Sequence, residues 1–204
     1  MTLDAAAESL ATNLYFDRQF GTDAVKILPG EFYVSDQDIV LVTTLGSCIA
    51  ACIRDKKTGI GGINHFMLPE NGGDNSVPAS APARYGSYAM ELLINELIKL
   101  GARRANLEAK ITGGGNVLAH MTVTKVGSRN TAFALDYLQT EGIPIVGKDV
   151  LDVYPRKVYF FPRSGRVMVK KLRNLHNDTL FVRESAYAKR VNSVKVVSGE
   201  VELF

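Results

Sequence analysis

Two cysteines and three histidines are all the thiol and imidazole this chain of 204 residues possesses. The cysteines, Cys48 and Cys52, stand four positions apart, too few and too close to build a disulfide framework. No uninterrupted apolar run approaches the roughly 20 residues a membrane-spanning helix needs, since the longest candidates are broken by Gly, Lys or Asp. Nor does the N-terminus show a basic start, an apolar core and a small-residue cleavage site. The expectation is therefore a cytoplasmic location with reduced thiols and no membrane insertion. Internal repeats and long low-complexity segments are lacking as well, which sets aside solenoids and disordered tails. What remains is 46% hydrophobic and 22% charged, enough for one ordinary domain with a full core.

Acidic residues are scarce at one end. Residues 154–204 hold 11 Lys and Arg against 4 Asp and Glu, whereas residues 1–153 hold 13 against 17. A basic end can steer a protein toward an acidic partner, a phosphate backbone or a membrane surface. Here the basic residues alternate with Val, Phe and Met in strand-like runs, which favours a solvated basic face, and no nucleic-acid partner is expected.

Residues 4–16 (DAAAESLATNLYF) are alanine-rich with leucines at helical spacing and predict a short N-terminal helix or arm. From Ile27 the texture changes to short β-branched and aromatic runs: ILPGEFYVS, DIVLVTTLG, CIAACIRD and IGGINHFML, with DKKTG as a hairpin turn between the last two. Residues 70–81 (ENGGDNSVPASA) predict a surface loop over whatever site precedes it. ARYGSYAMELLINELIKLGA is an amphipathic helix stopping near Gly101, NLEAKITGG a strand, SRNTAFALDYLQTEG a second helix and IPIVGKDV another strand. KVYFFPRSGRVMVKKL predicts a hairpin turning at residues 163–165. RNLHNDTLFVRESAYAKR shows no clear periodicity, and VNSVKVVSGEVELF fits either a strand pair or a tail. The expected class is α+β, a sheet-rich core with two main helices.

The chemistry centres on TTLGSCIAAC and NHFMLP. A thiol of ordinary pKa near 8.5 is mostly protonated at neutral pH, so a nucleophilic cysteine needs a base, a positive charge or a helix N-terminus beside it. The turn at residues 55–59 folds the run holding His65 back on the run holding Cys48, so a register that sets Cys48 and His65 side by side is natural and a Cys–His pair is easy to form. Gly46 and Ser47 suit a backbone that turns sharply and frees N–H groups for an oxyanion. The competing reading is close packing by small residues around a buried thiol. Cys52, in an apolar context, reads as core.

Zinc is a poor fit to Cys48, Cys52 and His65, because a fourth ligand would have to be His120 or His176, at no recognisable spacing. Those two histidines read as structural or surface residues. The run TGGGNV lacks the spacing of a dinucleotide fingerprint and the Gly-Lys-Ser/Thr ending of a phosphate-binding loop, so it reads as a tight turn or a wall of close backbone approach.

LGSCIAACIRD, GGINHFMLP, RYGSYAMELLINELIKLGA, AKITGGG, VGSRNTAFALDYLQTEGIPIVGKDV and GRVMVKKL together, in this order over residues 24–172, resemble the CheD family of chemoreceptor glutamine deamidases. The resemblance implies a layered sandwich of mixed β-sheet with two main helices, similar to toxin-type cysteine deamidases. It implies a Cys–His–Thr set with Cys48 as nucleophile, His65 as base and acid, and Thr43 as third member, with Thr44 as the alternative. Gly46, Ser47 and Asn64 would shape the pocket, although Asn64 suits strand pairing equally. Loop 70–81 and Arg129–Asn130 would form the surface that accepts a helical receptor segment. No metal or organic cofactor is implied. The implied partners are the cytoplasmic helices of methyl-accepting chemotaxis receptors and, in some members, a CheC-type phosphatase.

Residues 1–23 and 173–204 extend beyond this core as an N-terminal helical arm and a basic C-terminal extension. Two other readings stay open: a non-catalytic protein docking on receptors or on a CheC-type phosphatase, and the same thiol chemistry turned to another acceptor or another protein.

Overall fold

The computed structural model describes residues 9–68, 81–117, 126–172 and 178–193. The first half is built of short strands: β1 (Ser9–Leu10), β2 (Asn13–Asp17), β3 (Thr22–Ile27), β4 (Glu31–Ser35), β5 (Val40–Leu45), β6 (Ile49–Asp55) and β7 (Gly61–His65). Helix α1 (Ala81–Lys99), strand β8 (Leu107–Gly113), helix α2 (Val126–Thr140) and strand β9 (Ile145–Val150) follow. A hairpin of β10 (Arg156–Phe161) and β11 (Arg166–Lys171) comes next, and helix α3 (Asp178–Asn192) last. A six-stranded sheet runs β1-β4-β7-β6-β8-β9 and a five-stranded sheet β11-β10-β5-β3-β2. Both are mixed: β1–β4, β8–β9 and β3–β5 are parallel pairs and the other neighbours are antiparallel. This is the expected α+β class.

Two apolar layers hold the sheets. On one face of the six-stranded sheet, Ile49, Ala51 and Ile53 of β6 meet Met90, Leu93, Ile94 and Leu97 of α1 and Ala134 and Leu138 of α2. On its other face, Ala50 and Cys52 meet Ile27, Leu41, Leu45, Val158 and Phe160 of the five-stranded sheet. Successive strand residues point to opposite faces, so a strand covered on both sides reads as one continuous apolar run, as CIAACI does. The cysteine candidate thus lies in the inter-sheet layer.

The predicted turn at residues 55–59 is present and is braced by one carboxylate. Asp55 Oδ1 accepts from Lys57 N at 2.8 Å and Thr58 N at 3.2 Å, while Oδ2 accepts from Arg103 N at 2.8 Å and Asn106 Nδ2 at 3.2 Å. Burial disfavours its charge, but these four donors outweigh that and hold the carboxyl at about 2. At the far edge, buried Arg156 pairs with Asp149 and the Leu151 carbonyl, fixing the chain as it leaves β9 with Leu151 and Asp152 at positive φ.

Two expectations need correction. The predicted N-terminal helix is not formed by residues 9–17, which make β1 and β2. Leu14, Tyr15 and Phe16 favour the extended state, Asp17 Oδ1 accepts from Gln19 N and Phe20 N to close a turn, and β2 zips onto β3. Pairing with a neighbour overrides the helical spacing of the leucines. There are three helices among the described residues, not two: Asp178–Asn192, which lacks a plain apolar period, is α3. Its buried face carries Glu184, Tyr187 and Val191, so a carboxylate interrupts the stripe a pattern search looks for. The basic residues of β11, Arg166, Lys170 and Lys171, are solvent-exposed, as a solvated basic face requires. Nearly all of loop 70–81, together with His120, His176 and residues 194–204, lies outside the described residues. No described helix is long and apolar enough to cross a membrane.

Candidate active site

Cys48 stands where the chain crosses between sheets, after the bend that ends β5 and at the threshold of β6. The pairings Cys52 with Ile63, Ile53 with Gly62 and Ile49 with Phe66 place His65 opposite Ala50, diagonal to Cys48 on the same inter-sheet face. Ligand atoms of Cys48, His65 and Glu184 all lie within 4.8 Å of one another, and all three residues are buried. The hairpin argument therefore brings the pair together, though on a diagonal and not side by side.

Thr43 meets the histidine ring, and proton counting fixes the direction of that contact. Thr43 Oγ1 donates its single proton to the Ile27 carbonyl at 2.8 Å, so the 2.8 Å contact to His65 Nδ1 must be Nδ1–H donating to Oγ1. That fixes the tautomer and leaves Nε2 with a lone pair; it has no hydrogen-bond partner among the described residues. Thr43 faces inward with Leu41 and Leu45, whereas Thr44 faces the outer side of the five-stranded sheet and does not reach the histidine.

Burial pushes the His65 imidazole down to about 4, against the opposing pull of the Glu184 carboxylate. Above about 6.5 the ring is neutral in both folded and unfolded chains. As pH falls from 6.5 toward 4 only the unfolded chain gains the proton, so stability drops by up to about 1.4 kcal/mol per pH unit. Urea midpoints measured at pH 7.5, 6 and 5 should fall more steeply for the wild type than for His65→Gln; parallel slopes would refute this assignment. Cys52, in the same layer, has its thiol pushed well up by burial and stays protonated.

The loop before the sulfur is shaped by its carbonyls. Gly46 O accepts from Gly115 N at 2.8 Å, Ser47 O from Asn130 Nδ2 at 2.9 Å, and Cys48 O from Gly114 N at 2.7 Å. A trans peptide points its N–H opposite to its C=O, so tying these carbonyls back turns the Ser47 and Cys48 N–H groups outward together. With Gly46 N–H they form a small cradle of donors next to Cys48. The Gly113–Gly115 run is thus a wall, as one of its two readings had it, although it backs the cysteine loop instead of a bound peptide.

Gly113 has φ +117°, and a Cβ there would sit 2.3 Å from Cys48 O. Gly113→Ala should cost about 2–4 kcal/mol and displace the loop, read as a lower urea midpoint together with slowed alkylation of Cys48 by iodoacetamide. Unchanged values of both would contradict the wall.

Asn64, expected in the pocket or in strand pairing, and Asn130, expected with Arg129 on the receptor-binding surface, both face the protein interior. Asn64 is adjacent to His65 in a strand and so faces the helices: its Oδ1 accepts from Ala51 N at 2.9 Å and its Nδ2 donates to Ala89 O at 3.2 Å. It pins α1 to the sheet. Asn130 is fully buried on the inner face of α2, with Oδ1 accepting from Leu68 N at 2.9 Å and Nδ2 holding Ser47 O. Arg129 donates to Leu68 O at 3.0 Å. Asn130 therefore clamps the cysteine loop and offers no surface to a ligand.

Glu184 had no place in the sequence reading. Its Oε1 accepts from Gly46 N at 2.7 Å and Cys48 N at 3.3 Å; its Oε2 accepts from Ser47 N at 2.9 Å and Ser47 Oγ at 2.8 Å. A Cβ on residue 46 would come 2.7 Å from Oε2, so the glycine is needed for this approach. The signal available was a lone acid in a basic stretch, followed at i+3 and i+7 by Tyr187 and Val191. Thiolate, imidazole and carboxylate are also zinc donors, but here both carboxylate oxygens and Nδ1 are already committed to protein groups.

Residues 67–171 match the family model CheD, described as CheD chemotactic sensory transduction. The chain is 64% identical over 198 residues to the probable chemoreceptor glutamine deamidase CheD of Methylobacillus flagellatus, covering 97% of each. It is 61% identical over 197 residues to the probable chemoreceptor glutamine deamidase CheD 1 of Dechloromonas aromatica, covering 97% of this chain and 96% of that one. Identity to the probable chemoreceptor glutamine deamidase CheD of Thiobacillus denitrificans is 60% over 200 residues, 98% of each.

Proposed function

The chain belongs to the CheD family, and we propose from that premise that it hydrolyses glutamine side chains on the cytoplasmic helices of chemoreceptors to glutamate, with Cys48 as nucleophile. One observation carries the mechanism: a cysteine and a histidine of fixed tautomer lie together beside three converging backbone N–H groups.

His65 Nε2 takes the thiol proton and the sulfur attacks the amide carbon. The carbonyl oxygen, becoming an oxyanion, settles on the N–H groups of Gly46 and Cys48, which already converge on one oxygen. The tetrahedral adduct collapses, the C–N bond breaks, and the imidazolium gives its proton to the departing ammonia. Water, deprotonated by the same nitrogen, then cleaves the thioester to leave glutamate and free thiol. The sum exchanges water for ammonia with no change of oxidation state, so these side chains and N–H groups suffice. Thr43 acts through His65 as a positioning residue, and Asn130 acts through the loop. The reaction is assigned to the cytoplasm, where these receptor helices lie. Each turnover adds a negative charge to a receptor helix, a change able to bias a signalling equilibrium.

The test is mass spectrometry of a purified receptor cytoplasmic fragment. Wild-type protein should add about 1 Da at defined glutamines, the difference between an amide and an acid. If the fragment binds and its mass does not change, the adaptor reading, on receptors or on a CheC-type phosphatase, replaces this one.

A further inference from the structure

The cradle beside Cys48 already holds something, and it is part of the chain itself. Glu184 is 6% exposed and its carboxylate takes every donor a tetrahedral adduct would need. A glutamate side chain is what remains after a glutamine side chain is deamidated. One of its oxygens sits where two backbone N–H groups converge, the position of an oxyanion. The other accepts from Ser47 N and from Ser47 Oγ; the hydroxyl is able to turn from donor to acceptor toward an amide NH2, while the Ser47 N–H stays a donor.

A role for Glu184 as a working member of the site fits poorly. His65 is already oriented by Thr43, and while the carboxylate occupies the donors no substrate carbonyl can. Its charge, within 4.8 Å of the sulfur, also repels a thiolate. The described arrangement is a closed one.

The way Glu184 arrives matters as much. It is presented by a helix, three and seven positions before Tyr187 and Val191, which are buried in the same apolar cluster as Cys48. The Tyr187 ring lies on Gly30, where a Cβ would meet Cε2 at 2.8 Å, and its hydroxyl is 2.7 Å from that of Tyr85. Arg190 reaches Pro29 O at 3.3 Å. The β3–β4 turn, the start of α1 and the cysteine loop thus form a groove shaped to take one helix with one acyl side chain pointed at the sulfur.

We propose that this groove is where the substrate helix docks, and that α3 occupies it as a tethered, product-like helix with Glu184 in the glutamine subsite, so that substrate must displace α3 to react. The proposal rests on the glutamine deamidase reading and adds the place of docking, the helix that competes for it, and a preference for a glutamine followed by apolar residues at i+3 and i+7. As an attached segment α3 competes at an effective concentration on the order of millimolar, enough to hold the site against weak partners.

The decisive variant is Glu184→Gln, which is isosteric and sets an amide before the thiol. Cys48 should attack it, release ammonia and, after hydrolysis of the thioester, regenerate glutamate at residue 184. Mass spectrometry of the peptide bearing that residue should show a gain of about 1 Da in Glu184→Gln and none in Glu184→Gln/Cys48→Ala, at a rate independent of protein concentration. Separately, Glu184→Ala should raise kcat/KM on the receptor fragment by about tenfold or more, because a competitor is lost.

Persistence of glutamine at 184 while the wild type deamidates the fragment overturns the proposal and leaves the deamidase reading standing. Loss of activity in Glu184→Ala overturns it too, in favour of a working role for the carboxylate. If the wild type leaves the fragment unchanged and the glutamine at 184 persists, the deamidase reading fails and the proposal with it.

Discussion

Cys48→Ala is expected to leave a receptor fragment at its starting mass where the wild type converts it, a fall in rate of at least about 10⁴-fold. No other group can take over. Cys52 lies four positions along the chain in the inter-sheet layer, opposite Ile63, with its thiol kept protonated by burial. His65→Ala should lose activity on a similar scale, because a sulfur without a base to take its proton attacks an amide poorly. The double variant should be scarcely worse than either single one, since nucleophile and base act as a unit. The fold should survive: Cys48→Ala removes one small buried atom, a loss of about 1 kcal/mol, so its urea midpoint should stay close to that of the wild type. An active, folded Cys48→Ala protein would end the nucleophile assignment.

Particular residues explain what was legible beforehand. The pairing of Cys48 with His65 could be read because it is local: a five-residue turn with an Asx-type acid and a glycine fixes how two runs meet, and register follows. Of the two readings of Asn64, pocket and strand pairing, the structure agrees with the second, for a reason also present in the sequence. In a strand its side chain must face away from that of His65, so it could not share the pocket. The choice between Thr43 and Thr44 was harder, because Val40, Leu41 and Val42 are buried on both faces of β5 and hide the alternation that separates inner from outer. Asn130 looked like a contact residue because asparagine is usually exposed; only the tertiary structure supplies the Ser47 and Leu68 backbone groups that satisfy it in the core. Glu184 was least legible of all. It meets its donors across more than 130 positions of sequence, and the apolar face that would have flagged its helix is broken by the very carboxylate that enters the site.

Thr43→Val should be the most informative loss outside the reacting pair. Valine keeps the shape and removes one oxygen that serves two buried groups: it accepts from His65 Nδ1–H and donates to the Ile27 carbonyl. Leaving both unpaired should cost about 2–4 kcal/mol of stability. The catalytic cost should exceed what instability alone brings. Without an acceptor at Nδ1 the ring is no longer held in the tautomer that keeps Nε2 bare, and a protonated Nε2 cannot receive the thiol proton. A fall in kcat of about 10²–10³ is expected, with KM for the receptor fragment little changed, since Thr43 is not offered to the substrate. Thr43→Ser retains the hydroxyl and should keep activity within a few-fold; Thr44→Val, on the outer face, should do the same. Nitrogen NMR of labelled His65 supplies the readout that a purely structural role would not move. In the wild type, Nδ1 should carry the proton, and in Thr43→Val that preference should be lost. If Thr43→Val turns over normally and holds the same tautomer, the orientation of the ring comes from its packing between the sheets, and the hydroxyl serves Ile27 alone.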